Sequence, residues 1–525
     1  MAPSTIEKSQ RRGDPAAALG LVTAHLSRNP HDDAAWAVAA EALVRLERPE
    51  EAVEAARRAQ RPGAPERQAL LAWALASAGA AAEARGWLAR LGPEARVPGA
   101  WERAARAHDR LGEPEAAVAA HGRAVQLAPT DLGCALRFAE RLERAGDPRR
   151  ASMVIADVLD QRPSWEPARR VRVRLLARTG DLDGAASEAR VLLDGNELSP
   201  AVTTGLMLEL ARIEARRGAV ESTVEWAELG NRRALEVWRA EGGDPDRLWQ
   251  ELDALANATL RDPPRHVPPS RPLPNGQRPA FIVGFPRSGT TLVQRMIEAH
   301  SSVVTFDEAP LLDRALAEVL PGLGWVDIAR RAAEPDIAQR IRQAWWSGAA
   351  RRIGGVPKRP GLVVDKLPLN LLRLDVIVRA FPDAPIVLVV RDPRDAVLSA
   401  WLQDFRLNLA MAQFTSLERT ARLFDRALAT WFRVTPTRGI ALRYEALLDD
   451  PESVWRPIVD AMGLPWDPAI LGARDQSLGK VHTPSYAAIR QPLNRGSVGR
   501  WRPFAATLRP VHHILAPWLE RFGYG

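Results

Sequence analysis

Gly284 and Gly289, with four residues between them, frame the segment of this chain most suited to chemistry. They lie in FIVGFPRSGTTL, Phe281–Leu292, between a short apolar run and a helical one. Such a turn offers backbone N–H groups and the positive end of a helix dipole to an anion, which suits a phosphate. The lysine that a nucleoside-triphosphate loop carries after its second glycine is replaced by Thr290, followed by Thr291. Arg287, beside Ser288, supplies the cation instead. Lysine is scarce throughout: Lys8, Lys358, Lys366 and Lys480 are four among 72 basic residues. Lys366, directly after the apolar run GLVVD, therefore stands out from an arginine-biased background. Glu308, close after the helix that follows the loop, is the carboxylate best placed to meet a hydroxyl beside a bound anion.

These residues need a sheet edge to gather them. AFIVGF (Ala280–Phe285), GLVVDK, APIVLVVRD and GIALRYE are short β-branched runs, each followed by a helical stretch. That alternation predicts a mainly parallel sheet in a three-layer α/β domain. The first half reads differently. Ala18, Ala52, Ala84, Ala117, Ala151 and Ala185 recur at spacings of 34, 32, 33, 34 and 34 residues, after turns such as GDPAAA, GEPEAA and GDPRRA. Pro30, Pro62, Pro129 and Pro163 keep the same period, and Gly218 opens a weaker seventh unit. Glycine permits the tight turn, alanine lets two helices approach, and proline ends the second helix. The pattern resembles the tetratricopeptide repeat, an α-solenoid in which stacking buries what one unit cannot. Trp36, Trp73, Trp101 and Trp165 then read as repeat packing. Between the halves, Asp262–Pro279 holds seven prolines in 18 residues, which excludes helix interior or central strand and reads as a semi-rigid linker. The expected organisation is helical repeats over 1–225, capping helices over 226–262, a linker over 263–279 and an α/β domain over 280–525.

Composition bounds the partners. A chain of 525 residues, 46% apolar and 26% charged, is an ordinary globular protein of about two to four domains. No apolar run reaches the roughly 18 residues of a membrane span. The first twenty residues lack an apolar signal core, so a cytoplasmic protein is expected. Cys134 is the only cysteine, which excludes an internal disulfide and a cysteine-based zinc site. The net charge of +8 suggests an anionic partner, but no basic block interleaved with aromatics or nucleic-acid motif is found. His512 and His513 lack a ligand set at metal spacing.

The loop PRSGTT and the later element VVRDPRDAVLSAW (Val389–Trp401) together resemble the sulfotransferases that use 3′-phosphoadenosine 5′-phosphosulfate, PAPS. The resemblance implies that Arg287, Ser288, Gly289, Thr290 and Thr291 hold the 5′-phosphosulfate. It likewise implies that Arg391 and Ser399, eight residues apart, hold the 3′-phosphate. The run from PRSGTTLVQRMIEAH through VVTFDEAP is similar to the tyrosylprotein branch, which places the general base on Glu308. VVDKLP gives Lys366 the lysine role at the leaving phosphate, and ALRYEALLDDP gives Tyr444 a cofactor contact. QPLNRGSVGRW implies a segment over the nucleotide carrying Arg500, with Ser485 a further contributor upstream. The family uses protein cations, so no metal is implied. The branch's substrate-contacting arginine, two residues beyond the base, is Pro310 here, and the acceptor is left open among protein, carbohydrate, lipid and small-molecule hydroxyls or amines.

Two other readings stand beside this one: a P-loop nucleotide kinase, and a repeat adaptor with an inactive sulfotransferase-like domain. The repeat groove would take a protein or peptide partner, deliver substrate, or form a homodimer. His300, at the end of the P-loop helix, reads as a C-terminal cap with a base role as the alternative. His482, near the segment over the nucleotide, is undecided.

Overall fold

A computed structural model describes residues 14–61, 63–195, 198–258, 276–353, 361–435, 439–472 and 495–525. It resolves into two compact units, residues 1–175 with 350–355, and residues 176–349 with 356–525.

The first unit is helical throughout its described length. Helices such as Pro98–Leu111, Pro114–Leu127, Leu132–Ala145 and Pro148–Gln161 follow one another in antiparallel pairs. Gly112 and Gly146 end the first helix of their pairs in the left-handed conformation, the position where a side chain would be strained. Of the alanines in register, Ala18, Ala52, Ala84, Ala117 and Ala151 are all buried here, as is Ala185 in the second unit, so the tight helix approach expected from the repeat is present. Trp36 and Trp101 each donate their indole N–H to a carbonyl six residues upstream, of Pro30 and Ala95, tying a helix start to the preceding turn.

The second unit contains a five-stranded, all-parallel sheet in the order β2-β3-β1-β4-β5. The strands are β1 Gln277–Gly284, β2 Val303–Asp307, β3 Gly361–Lys366, β4 Ile386–Val390 and β5 Gly439–Arg443. Alternate side chains of β1 enter different layers. Ala280 and Ile282 pack with Val293, Met296, Trp455 and Ile458 from helices Thr290–Glu298 and Pro451–Ala461. Phe281 faces Trp345 and Phe381, and Phe285 faces Phe414 and Phe424.

Two features differ from the sequence reading. β1 begins at Gln277, so Arg278 and Pro279 belong to a central strand rather than to the linker. β4 joins β1 only from Phe281 onward, so at Pro279 β3 alone runs alongside and a residue without an N–H is accommodated. The expected linker otherwise falls mostly outside the described residues. Helices Pro200–Arg217, Val220–Ala240 and Arg247–Asn257 also lie in the sheet-bearing unit. Ala211 and Ala227 pack with Leu398, Trp401 and Phe504, while Trp249 donates to the fully buried Gln413 at 2.7 Å. Apolar faces that resemble a continuing repeat are thus buried on the α/β layer.

Candidate active site

Parallel strands deliver their carboxyl ends to one edge, and each of the five contributes one part of the site. Across the sheet these are Glu308 after β2, Lys366 ending β3, the Phe285–Gly289 loop after β1, Arg391 after β4 and Tyr444 after β5.

The loop runs into helix Thr290–Glu298, with Ser288, Thr290 and Thr291 buried at its mouth. Gly289 has φ 94°, and a Cβ there would stand 2.3 Å from the Tyr444 ring. Arg287 and Glu308 hold φ values of 71° and 43°, a conformation that side chains disfavour and that surrounding contacts must enforce.

β2 and β3 pair with Asp307 opposite Lys366, which brings Glu308 beside the lysine. Lys366 is fully buried and donates Nζ–H to Glu308 Oε1 at 3.0 Å, while the glutamate side chain is 36% exposed. The ammonium therefore lies inside, while the glutamate side chain is partly open to solvent. Behind them, Asp365 is buried, accepting from Trp345 Nε1 at 2.9 Å and Asn370 Nδ2 at 3.1 Å. Burial raises its pKa to about 7, against the pull of those hydrogen bonds.

On the other flank, Arg391 donates Nη1–H to the Arg287 carbonyl at 3.0 Å and Nη2–H to the Ser497 carbonyl. Its Nη2 also lies 3.5 Å from Asp395 Oδ2, the strand-end ion pair that the RDPRD run allows. Its Nε is buried without a hydrogen-bond partner among the described residues. Arg287 donates Nε–H to Ser399 Oγ at 3.1 Å, joining the loop to helix Pro393–Trp401. Burial, and then the charges of Arg391, Arg212 and Arg500, lower the Arg287 pKa to about 10, with Glu308 opposing. Arg500 donates to the Gly496 carbonyl, and its pKa too is lowered by burial and by Arg391.

The expected residues Arg287, Ser288, Gly289, Thr290, Thr291, Glu308, Lys366, Arg391, Ser399, Tyr444 and Arg500 therefore all lie on or beside this edge. Ser485 and His482 fall outside the described residues. His300 is engaged elsewhere: Nδ1 accepts from the Ser302 N–H at 3.0 Å and Nε2 donates to the Pro465 carbonyl at 2.9 Å. Sequence reasoning missed Ser497, whose hydroxyl lies 3.0 Å from Tyr444 OH. It also missed the anchoring role of Asp395, which accepts from the Gly499 and Trp501 N–H groups at 2.7 and 2.9 Å. The doubled Asp of RDPRD was the available signal for the latter.

Residues 279–468 match the Sulfotransferase family model. The C-terminal half of the chain carries a sulfotransferase-family domain, preceded by helical repeats that resemble tetratricopeptide repeats. Its relatives include protein-tyrosine sulfotransferase 1 of Danio rerio, 26% identical over 259 residues that cover 46% of this chain and 71% of the fish protein. An uncharacterized protein of Aquifex aeolicus is 28% identical over 248 residues, covering 46% of this chain and about a third (32%) of that protein's length. The solved sulfotransferase domain from the curacin biosynthetic pathway is 18% identical, with 46% of this chain and 98% of that chain covered, at a TM-score of 0.30. Among the described residues, no helix is long and apolar enough to cross a membrane.

Proposed function

We propose that this protein is a PAPS-dependent sulfotransferase acting on a hydroxyl or amine acceptor, with its helical repeats recruiting a protein or peptide substrate or partner. We place it in the cytoplasm, where its single cysteine, the buried Cys134, needs no oxidant. The observation that carries the reading is the ordered edge itself: carboxylate, lysine, anion loop, arginine and tyrosine at five consecutive strand ends. The residues suit the donor. Arg391 keeps a buried Nε without a partner among the described residues, and Arg287 sits in like-charge company that a polyanion would relieve.

PAPS, when bound, supplies a sulfuryl group on a phosphate leaving group. Arg391 and Ser399 would hold the 3′-phosphate, with Tyr444, Ser485 and Arg500 lining the nucleotide. Loop N–H groups and Ser288, Thr290 and Thr291 would take the 5′-phosphosulfate. Glu308 would accept the acceptor's proton as sulfur bonds to the hydroxyl oxygen or amine nitrogen and its bond to the donor's phosphate oxygen breaks. Lys366 and Arg287 would then meet the charge that grows on the transferring and departing oxygens. No metal is needed in this scheme.

The test is nucleotide binding by the full-length protein in EDTA, followed by an acceptor screen with radiolabelled PAPS. Adenosine 3′,5′-bisphosphate should bind well and AMP far more weakly. Equal affinities, or an absolute need for magnesium, would favour a nucleotide kinase instead.

A further inference from the structure

We propose that Asn231 and Arg212, from the helices preceding the sheet, are positioning residues for the donor nucleotide, holding helix Pro393–Trp401 where Ser399 meets the loop. The inference rests on the reading of Arg391 and Ser399 as the 3′-phosphate site.

That helix carries three parts of the edge. Asp392 caps its start, Asp395 pins the backbone of Gly499 and Trp501, and Ser399 accepts from Arg287. Its last carbonyls point beyond the reach of its own N–H groups, as at any helix end, and need donors from elsewhere. Asn231, itself buried, donates Nδ2–H to the Trp401 carbonyl at 3.0 Å. Arg212 donates Nη1–H to the Leu402 carbonyl at 3.3 Å, while Nη2 pairs with Glu209. Both donors belong to the pair Pro200–Arg217 and Val220–Ala240, whose Ala211 and Ala227 pack on Leu398, Trp401 and Leu402. Ser399 lies two residues before the clamped Trp401, so a tilt or slide at that end moves its hydroxyl directly. Arg212 is also near enough to add to the positive field on Arg287.

The experiment compares affinities for adenosine 3′,5′-bisphosphate and AMP in full-length variants whose folding is checked by circular dichroism. Asn231→Leu keeps the volume but loses the donor, and should cut the preference for the 3′-phosphate by roughly three- to tenfold. AMP affinity should change little. Asn231→Gln, which can still donate, should recover part of the preference, and Arg212→Met should reproduce the loss if Asn231→Leu fails to fold. Thr223→Val serves as control: Thr223 is buried on the same helix but donates only to the Ala219 carbonyl of its own turn among the bonds seen. A folded Asn231→Leu or Arg212→Met with the full preference overturns the inference. So does an equal fall for both nucleotides, which marks a general structural role. If the wild-type protein itself shows no preference, the donor reading fails first.

Discussion

The repeats and the sheet edge both collect arginine, but they treat its charge in opposite ways. In the repeat unit, arginines meet acids on other helices: Arg103 with Glu41 at 3.0 Å, Arg137 with Glu102 at 2.5 Å, Arg174 with Glu143 at 3.1 Å. At the sheet edge, Arg391 has Asp395 at 3.5 Å, but Arg287 is held below its ordinary pKa by burial and then by the charges of Arg391, Arg212 and Arg500. Matched pairs between helices are internal structure. A cluster of like charges around a helix N-terminus suits an anion, which is why the proposed donor site is placed there rather than argued from total charge.

The largest expected effect tests whether the edge does chemistry rather than binding alone. Glu308→Gln should lose about 10²–10⁴-fold in turnover while nucleotide affinity stays near normal. Lys366→Arg should also lower turnover despite keeping the charge, because a planar guanidinium cannot occupy the ammonium's position. Single-turnover assays with labelled PAPS on an identified acceptor read both. Wild-type rates in both variants would reduce the edge to a binding surface.

Next in size, Arg391→Ala should weaken adenosine 3′,5′-bisphosphate binding by roughly ten- to a hundredfold, measured by calorimetry. An unchanged affinity would mean that its contacts with Asp395 and the Ser497 carbonyl are its whole purpose.

The two regions should also answer pH in opposite directions. In the repeats, His121 is buried with neither ring nitrogen hydrogen-bonded among the described residues. Burial and then the Arg141 charge lower its pKa from 6.5 to about 4. Its contribution is therefore present above about pH 6.5 and lost as pH falls toward 4. Asp365 is raised from 3.8 to about 7, so its neutral form favours the fold at low pH and that contribution fades as pH rises to 7. Thermal unfolding across this range should show His121→Leu flattening the acid-side loss and Asp365→Asn flattening the opposite limb. Profiles identical to wild type would remove both groups from the pH response.

The smallest effect concerns the paired arginines. Arg103→Ala should cost only about 0.2–1 kcal/mol in denaturant unfolding and leave nucleotide affinity unchanged, as expected of a partly exposed ion pair. A large loss of affinity would break the distinction between the two regions.

Much of this was legible in residue order. Six alanines at one period came out buried, because repeat packing is local and each unit restates the same contact. Glu308 and Lys366 could be proposed separately, one from its place after the P-loop helix and the other from closing the apolar run GLVVD. Their meeting followed from β2 lying beside β3. Asn231 was not legible: its partner, the Trp401 carbonyl, lies 170 residues away, and an asparagine on a polar-looking helix gives no sign of burial. Pro279 misled for the opposite reason. A strong local rule against proline in central strands was relaxed by the later start of β4, which no local pattern records.

The strand order has a consequence for descent. The loop-bearing β1 is the middle strand, with Glu308 and Lys366 on one flank and Arg391 and Tyr444 on the other. On the proposed reading, the 3′-phosphate contacts leave β4 and the proton acceptor Glu308 leaves β2, with Lys366 and the loop at the leaving group between them. On that reading, the segment leaving β2, which carries Pro310, can vary with the acceptor while Lys366, the loop and the β4 contacts to the donor stay in place. The same division tells a protein engineer where to diversify and where to leave the chain alone.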